Sequence, residues 1–185
     1  MLATATLICH PATPCRALSA LSVALERTAD GVVLLYQLQR RVDADDLRVP
    51  GDATGAGVRR DGLWQHTCLE LFVRPAGGTA YREFNFSPNG DWAVYDFSAA
   101  RQRAANDLPP LSAPRIHWHS DASGWTMRVE LLAADLYMAP HLELNLSAVI
   151  EAAHGQKSYW ALRHPAAQPD FHHSQAFTLV LDETP

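Results

Sequence analysis

Residues 63–97 read LWQHTCLELFVRPAGGTAYREFNFSPNGDWAVYDF, and this run leaves little freedom in the choice of architecture. It contains three extended segments, 67–74, 81–87 and 91–97, parted by Ala76-Gly77-Gly78 and Pro88-Asn89-Gly90. In the first, Leu69, Leu71 and Val73 alternate with Cys68, Glu70 and Phe72; in the second, Phe84 and Phe86 alternate with Glu83 and Asn85. Side chains on a strand point to opposite faces in turn, so this period predicts strands with one apolar face. Asn-Gly between two such segments is a strong hairpin signal. The opposite face carries Glu70, Glu83 and Asn85, with Trp64 and Trp92 at strand ends. Carboxylate, amide and indole on one side of a sheet suit a sugar-like polyol, and they equally suit a plain solvated face.

The rest of the chain continues the pattern. Short extended segments are predicted at 4–9, 19–28 and 32–40, the last two joined through Ala29-Asp30-Gly31. Others follow at 115–119, 125–132, 142–152, 157–164 and 176–181. Segment 142–152 is the longest: Leu142, Leu144, Leu146, Ala148 and Ile150 face one way, and Glu143, Asn145, Ser147 and Glu151 the other. It can extend the polar face of the central run. Residues 98–107, SAARQRAAND, form the best helix candidate, a short excursion that stops before Pro109-Pro110. Residues 43–62 make a long polar loop, either a cover for a site or a loose insertion. The expected fold is therefore all-β: an antiparallel, jelly-roll-like β-sandwich of about 10–11 strands with one helical excursion. A length of 185 residues fits one domain spanning 1–185.

Charge and composition remove several function classes. The net charge is −5 with no block of like charges, which argues against nucleic-acid and anionic-membrane partners. No apolar stretch approaches the roughly 20 residues of a membrane helix. The N-terminus lacks the pattern of a secretory signal, so the expected location is cytoplasmic. Cys9, Cys15 and Cys68 are few and unpaired in spacing, which predicts reduced thiols rather than a disulfide framework.

Three groups of residues carry possible chemistry. Glu70 and Glu83, on neighbouring strands, are placed either to bond ligand hydroxyls, to act as a glycosidase acid and base, or to meet solvent. Of the five tryptophans, Trp64, Trp92 and Trp160 are candidates to stack on a ligand; core packing is the competing role of any indole. Among nine histidines, His117 and His119 share a strand face at a spacing that can hold a metal, while His164, His172 and His173 flank a proline-broken loop, HPAAQPDFHH. In that loop Asp170 is placed to cap a turn or orient a histidine. No Cys-x-x-Cys or His-Glu-x-x-His supports a metal site, and no nucleophile elbow or phosphate loop is present. Neither cofactor nor metal is expected.

The stretches LWQHTCLELFV, YREFNFSPNGDWAVYDF, LSAVIEAAHGQKSYWALRHP and PDFHH together resemble the DOMON-like domains related to family 9 carbohydrate-binding modules, closest to a bacterial cytosolic branch. The resemblance runs from about Trp64 to the C-terminus. It implies a β-sandwich with a ligand pocket on one sheet, in which tryptophans clasp a sugar and a glutamate bonds its hydroxyls. Trp64, Glu70 and Trp160 resemble those parts. With the residue pattern, this gives an expected small-molecule site of Trp64, Glu70, Glu83, Asn85, Trp92, Asn145, Trp160, His164 and His172. Non-catalytic binding of a small carbohydrate or related polar metabolite is the expected function. Other DOMON relatives bind haem through methionine and histidine, for which this sequence offers Met127 and Met138 internally; a haem-binding electron carrier and a Glu70/Glu83 hydrolase are the alternatives.

Overall fold

In the computed structural model, residues 2–42, 46–49, 57–105, 111–137 and 139–182 are described. They form twelve strands: β1 (Leu2–Cys9), β2 (Leu18–Arg27), β3 (Gly31–Arg40), β4 (Cys68–Pro75), β5 (Tyr81–Phe86), β6 (Trp92–Ala99), β7 (Gln102–Arg103), β8 (Arg115–Asp121), β9 (Gly124–Leu132), β10 (His141–Glu151), β11 (Lys157–Ala161) and β12 (Leu179–Asp182). The only helical pieces among the described residues are 3-10 turns at Leu63–Gln65, Ala133–Asp135 and Ser174–Ala176. Every strand expected from the alternation is present.

One expectation fails. Residues 98–105 do not form a helix; the chain reverses at Arg101, the non-glycine residue with φ of 58°, and returns as β7. Residues 106–107 lie outside the described residues. The stretch is too short to propagate a helix on its own. Pairing of Phe97 with Arg103 continues the sheet, and the Arg101 N–H donates to the Tyr81 hydroxyl at 3.1 Å. Of the long loop 43–62, residues 43–45 and 50–56 also lie outside the described residues, and Leu47 and Arg59 bridge to Ala152 and Trp92.

The twelve strands pair antiparallel throughout, in the order β7-β6-β5-β4-β10-β11-β1-β2-β3-β9-β8, with β12 also on β10. The sheet folds over at β1. Residues Leu2 to Leu7 pair with β2, whereas Ile8 and Cys9 pair with β11. The two halves meet face to face, as in a sandwich, and the sheet is not closed into a barrel. Leu34, Tyr36, Leu38 and Val129 from one half pack against Leu71, Phe84, Leu144 and Leu146 from the other. The Tyr36 hydroxyl crosses between the layers and donates to the Glu70 carbonyl at 2.9 Å. That bond satisfies a phenol which would otherwise be buried without a partner.

The β5–β6 turn behaves as its Pro-Asn-Gly sequence predicts. Gly90 takes φ of 92°, its N–H donates to the Ser87 carbonyl at 2.9 Å, and Asn89 Oδ1 accepts from the Asp91 N–H. This turn fixes the register of β5 against β6 and hence which residues share a face.

The second half has an unusual property: both of its faces are buried. Every residue of β5 is buried, as are residues 68–73 of β4. On the face away from the inter-sheet core, Cys68, Phe72, Tyr81, Ala93, Tyr95 and Phe97 form a second apolar cluster with Leu63 and Phe177. The cover is residues 163–177. The Leu162 N–H donates to the Leu146 carbonyl and the Thr178 N–H to the Leu144 carbonyl, so the chain leaves β10 and rejoins it two positions away. Between these anchors, Asn145 Nδ2 reaches up to the Phe171 carbonyl at 3.0 Å. The excursion is an Ω-type loop with its feet on one strand.

Candidate functional site

The register of β4, β5 and β10 assembles the floor of a cavity of about 330 Å³. Glu70 lies opposite Asn85 on β5 and opposite Ser147 on β10, and Glu83 lies opposite Phe72. Strand alternation sends all of these to the face away from the inter-sheet core. Glu70, Glu83, Phe72 and Val149 line the floor; Trp64, Tyr159, Phe97, Arg101, Arg103, Pro169, Phe171 and His172 form the walls.

The carboxylates are deeply placed, Glu70 at 2% and Glu83 at 5% exposure. Ser147 Oγ donates to Glu70 Oε2 at 3.0 Å, and Asn85 Nδ2 donates to Glu83 Oε1 at 2.6 Å. Asn85 is itself oriented by the Cys68 thiol, which donates to its Oδ1 at 3.2 Å. Burial, reinforced by the charge of Glu83, pushes the Glu70 carboxyl well above the ordinary carboxylate range. Burial raises Glu83 too, but the Asn85 hydrogen bond and the charges of Arg103 and Arg101 oppose it. Glu70 is thus the member of the pair pushed further towards its protonated form, and Glu83 the member with cations to support its charge. The floor sets two carboxyl groups side by side, each able to accept from a ligand hydroxyl and, when protonated, to donate to one. Burial, and next Glu70, raise the Cys68 thiol well above its usual value, which makes it a hydrogen-bond donor rather than a nucleophile.

His172 closes one side. Its Nδ1 lies 2.7 Å from the Tyr81 hydroxyl, and its Nε2 lies 3.9 Å from Glu83 Oε2. Because the Tyr81 oxygen already accepts the Arg101 N–H, we assign the phenol proton to Nδ1 and the imidazole proton to Nε2, facing Glu83. The ring packs edge-on to Phe72 at 5.3 Å and Phe97 at 5.1 Å. Burial, and after it the charge of Arg101, lower its pKa to about 4. The imidazole is therefore neutral near pH 7. Tyr81, raised to about 12 chiefly by burial, stays protonated and matches that assignment. Asp170 Oδ1 accepts the His172 N–H at 3.1 Å and pairs with Arg101 Nη2 at 2.8 Å, so Asp170 both caps the turn and ties the loop to the β6–β7 hairpin.

The structure brings together Trp64, Glu70, Glu83, Asn85 and His172. Trp64 sits at the rim, 49% exposed, on the 3-10 turn that enters β4. Asn145 is beneath the cover as a tether rather than in the cavity lining. Trp92, Trp160 and His164 are elsewhere. Trp92 pairs with Phe86 on the inter-sheet face, because Ala93, Tyr95 and Phe97 are the β6 residues that face the cover. Trp160, 5% exposed, also lies in the inter-sheet core, its Nε1 donating to Ser158 Oγ at 3.2 Å. Its neighbour Tyr159, opposite Val149, takes the pocket side. His164 stands at the foot of the cover loop, with Nε2 2.7 Å from the Ile8 carbonyl and its ring against His10.

Sequence reasoning did not select Tyr159, Phe171, Arg101 or Arg103. Tyr159 was legible from its parity with Val149 once the β10–β11 turn is placed, and Phe171 from the PDFHH motif. The two arginines were concealed in the stretch that reads as a helix. His117 and His119 are exposed on β8, and among the described residues no group of three or more His, Cys, Asp or Glu is placed to hold a metal ion. Met127 is buried in the inter-sheet core, and Met138 lies outside the described residues. The three cysteines are free thiols. No described helix is long and apolar enough to cross a membrane.

A larger hollow, about 460 Å³, lies between the β2–β3 turn and residues 133–142. Among its lining residues the charged side chain is Arg27, already donating to the Asp182 carbonyl. The smaller cavity holds the polar chemistry.

No family model and no curated protein matches this sequence. Among solved structures, the chain is similar to a protein from Bacteroides uniformis described as a "putative carbohydrate-binding protein", with a TM-score of 0.67 and 14% identity over 98% of this chain and 86% of that one. At that identity the likeness is one of fold.

Proposed function

We propose that this chain binds a small carbohydrate or a related polar metabolite, without transforming it, in the cavity over β4, β5 and β10. The observation that carries the reading is the pair of buried carboxyl groups, Glu70 and Glu83, on a floor walled by Trp64, Tyr159 and Phe171. Sugars present hydroxyls in their ring plane and C–H faces above and below it. A polar floor bonds the first while aromatic walls pack on the second. The resemblance to DOMON-like, family 9-type modules supports the same reading, with Trp64 and Glu70 in the clasping and bonding roles. Tyr159 stands where Trp160 was expected to stack. The fold likeness to the Bacteroides uniformis protein agrees with it.

Calorimetric titration with a broad panel of mono- and disaccharides tests the proposal. Wild-type protein is expected to bind at least one member, and Trp64→Ala to weaken it by about tenfold through loss of the stacking face. Silence across the panel would sink the reading.

A second reading rests on one observation, the upward push on Glu70 beside Glu83, the signature of an acid poised for proton transfer. It makes the pair a glycoside-hydrolysing acid and base. Release of nitrophenol from aryl glycosides, abolished in both Glu70→Gln and Glu83→Gln, would replace binding with hydrolysis as the function.

A further inference from the structure

Resting on the carbohydrate reading above, we propose that the preferred ligand is an acidic sugar of the uronic type, and that Arg103 is the specificity-determining residue that receives its carboxylate.

Arg103 lies on the pocket wall because β7 pairs with the end of β6, Arg103 opposite Phe97. Its guanidinium carbon stands 3.7 Å from the centroid of the Tyr95 ring and 5.1 Å from that of Phe97. Ring faces hold a guanidinium flat while leaving its in-plane N–H donors unused. The group is positioned, yet its hydrogen-bonding capacity is not consumed by the contacts that position it.

Several other arginines of the molecule pair with carboxylates. Arg82 is bidentate to Asp96, Arg74 pairs with Glu143, Arg60 with Asp91, and Arg101, the second cation of the pocket, with Asp170. Among the described residues no carboxylate pairs with Arg103. Although the side chain is exposed, its charge reaches the floor: it favours the ionised form of Glu83 and disfavours protonation of His172.

These facts set both the sign and the size of the ligand's charge. Asp170 answers Arg101, so one guanidinium remains open. A planar fork matches a carboxylate in two parallel hydrogen bonds. A dianionic phosphate would bring a second negative charge towards Glu83 and Asp170, while Arg101, the other cation of the lining, is already paired with Asp170. A sugar whose ring hydroxyls meet Glu70 and Glu83 while a single carboxylate reaches Arg103 matches the two carboxyl groups of the floor and the guanidinium of the wall.

The test is calorimetry at low ionic strength with D-glucuronate and D-galacturonate, each against its neutral hexose and its hexose 6-phosphate. Wild-type protein, Arg103→Gln and Arg103→Lys are compared, with thermal melts to show that the variants are folded. Uronates are expected to bind wild type at least about tenfold more tightly than the neutral hexoses, a preference that shrinks as salt is added. Arg103→Gln should cost uronates at least about tenfold more affinity than neutral hexoses and so erase the preference, and Arg103→Lys should restore only part of it. Equal binding of neutral and acidic sugars by wild type would overturn the inference and leave the carbohydrate reading standing. A uronate preference that survives in Arg103→Gln would overturn the assignment to Arg103, and tighter binding of the 6-phosphates would overturn the single-charge argument. If no sugar of any kind binds, the carbohydrate reading falls and this inference falls with it.

Discussion

The two outward faces of the folded sheet start from the same alternation and end in opposite environments. On the first half, Gln37, Gln39, Arg128 and His117 alternate with core residues and are exposed. On the second half, Glu70, Glu83, Asn85 and Ser147 alternate with core residues in the same way and are buried. The difference lies in the partners along each face. The first interleaves its polar groups mainly with other polar or half-buried side chains. The second interleaves them with Phe72, Tyr81, Tyr95 and Phe97, and a loop carrying Phe171 and Phe177 settles on those rings. Alternation identifies a face; aromatic content between the charges marks a face that recruits a cover.

The largest expected effect separates the faces by packing. Phe72→Ala should cost about 3–5 kcal/mol in denaturant unfolding, a core-sized loss. Leu35→Ala, on the half-buried outer side of β3, should cost well under half of that. A Phe72→Ala loss below about 1 kcal/mol would erase the distinction.

Next comes the price of the buried acid. Glu70 has a folded pKa above its unfolded one, so its favourable contribution is complete below the unfolded value and fades as pH rises towards the folded value. Glu70→Gln should therefore match wild type near pH 4 and exceed it at pH 8, by about 2–4 °C in Tm for each kcal/mol recovered. The same gain at both pH values would mean that ionisation is not its source. His172 works in the reverse sense. Its folded pKa of about 4 lies below the usual value, so its contribution is present above about pH 6.5 and lost as pH falls towards 4. His172→Asn should flatten the acid limb of the stability profile in that window.

The tether is a smaller effect. Asn145→Ala removes the bond to the Phe171 carbonyl and should cost about 1 kcal/mol, with faster hydrogen exchange confined to the cover loop. Smallest of all, Gln37→Glu on the open face should change stability by less than about 0.5 kcal/mol.

Strand positions were legible because a period of two is a local property. Leu142 to Ile150 show it: every alternate residue lies in the inter-sheet core, as the pattern requires. Residues 98–105 misled because a stretch rich in alanine and arginine favours helix, while the Phe97–Arg103 pair that decides the outcome belongs to the sheet. At the site, the shared face of Glu70, Glu83 and Asn85 was readable, but their burial was not. It depends on residues 163–177, about a hundred positions away in sequence. Trp160 and Tyr159 show the remaining ambiguity. Two adjacent large rings must point to opposite sides, and only the register with Ala148 and Val149 says which one meets the cavity.

The cover loop departs from and returns to β10 at carbonyls on either side of Asn145. A segment whose two ends sit so close together can be lengthened, shortened or rewritten at little cost in chain entropy, and without shifting a strand. The scaffold and the wall of the cavity are therefore separable by construction. Replacing residues 163–177 as a cassette offers a direct way to redirect what this sheet holds while leaving the inter-sheet core untouched.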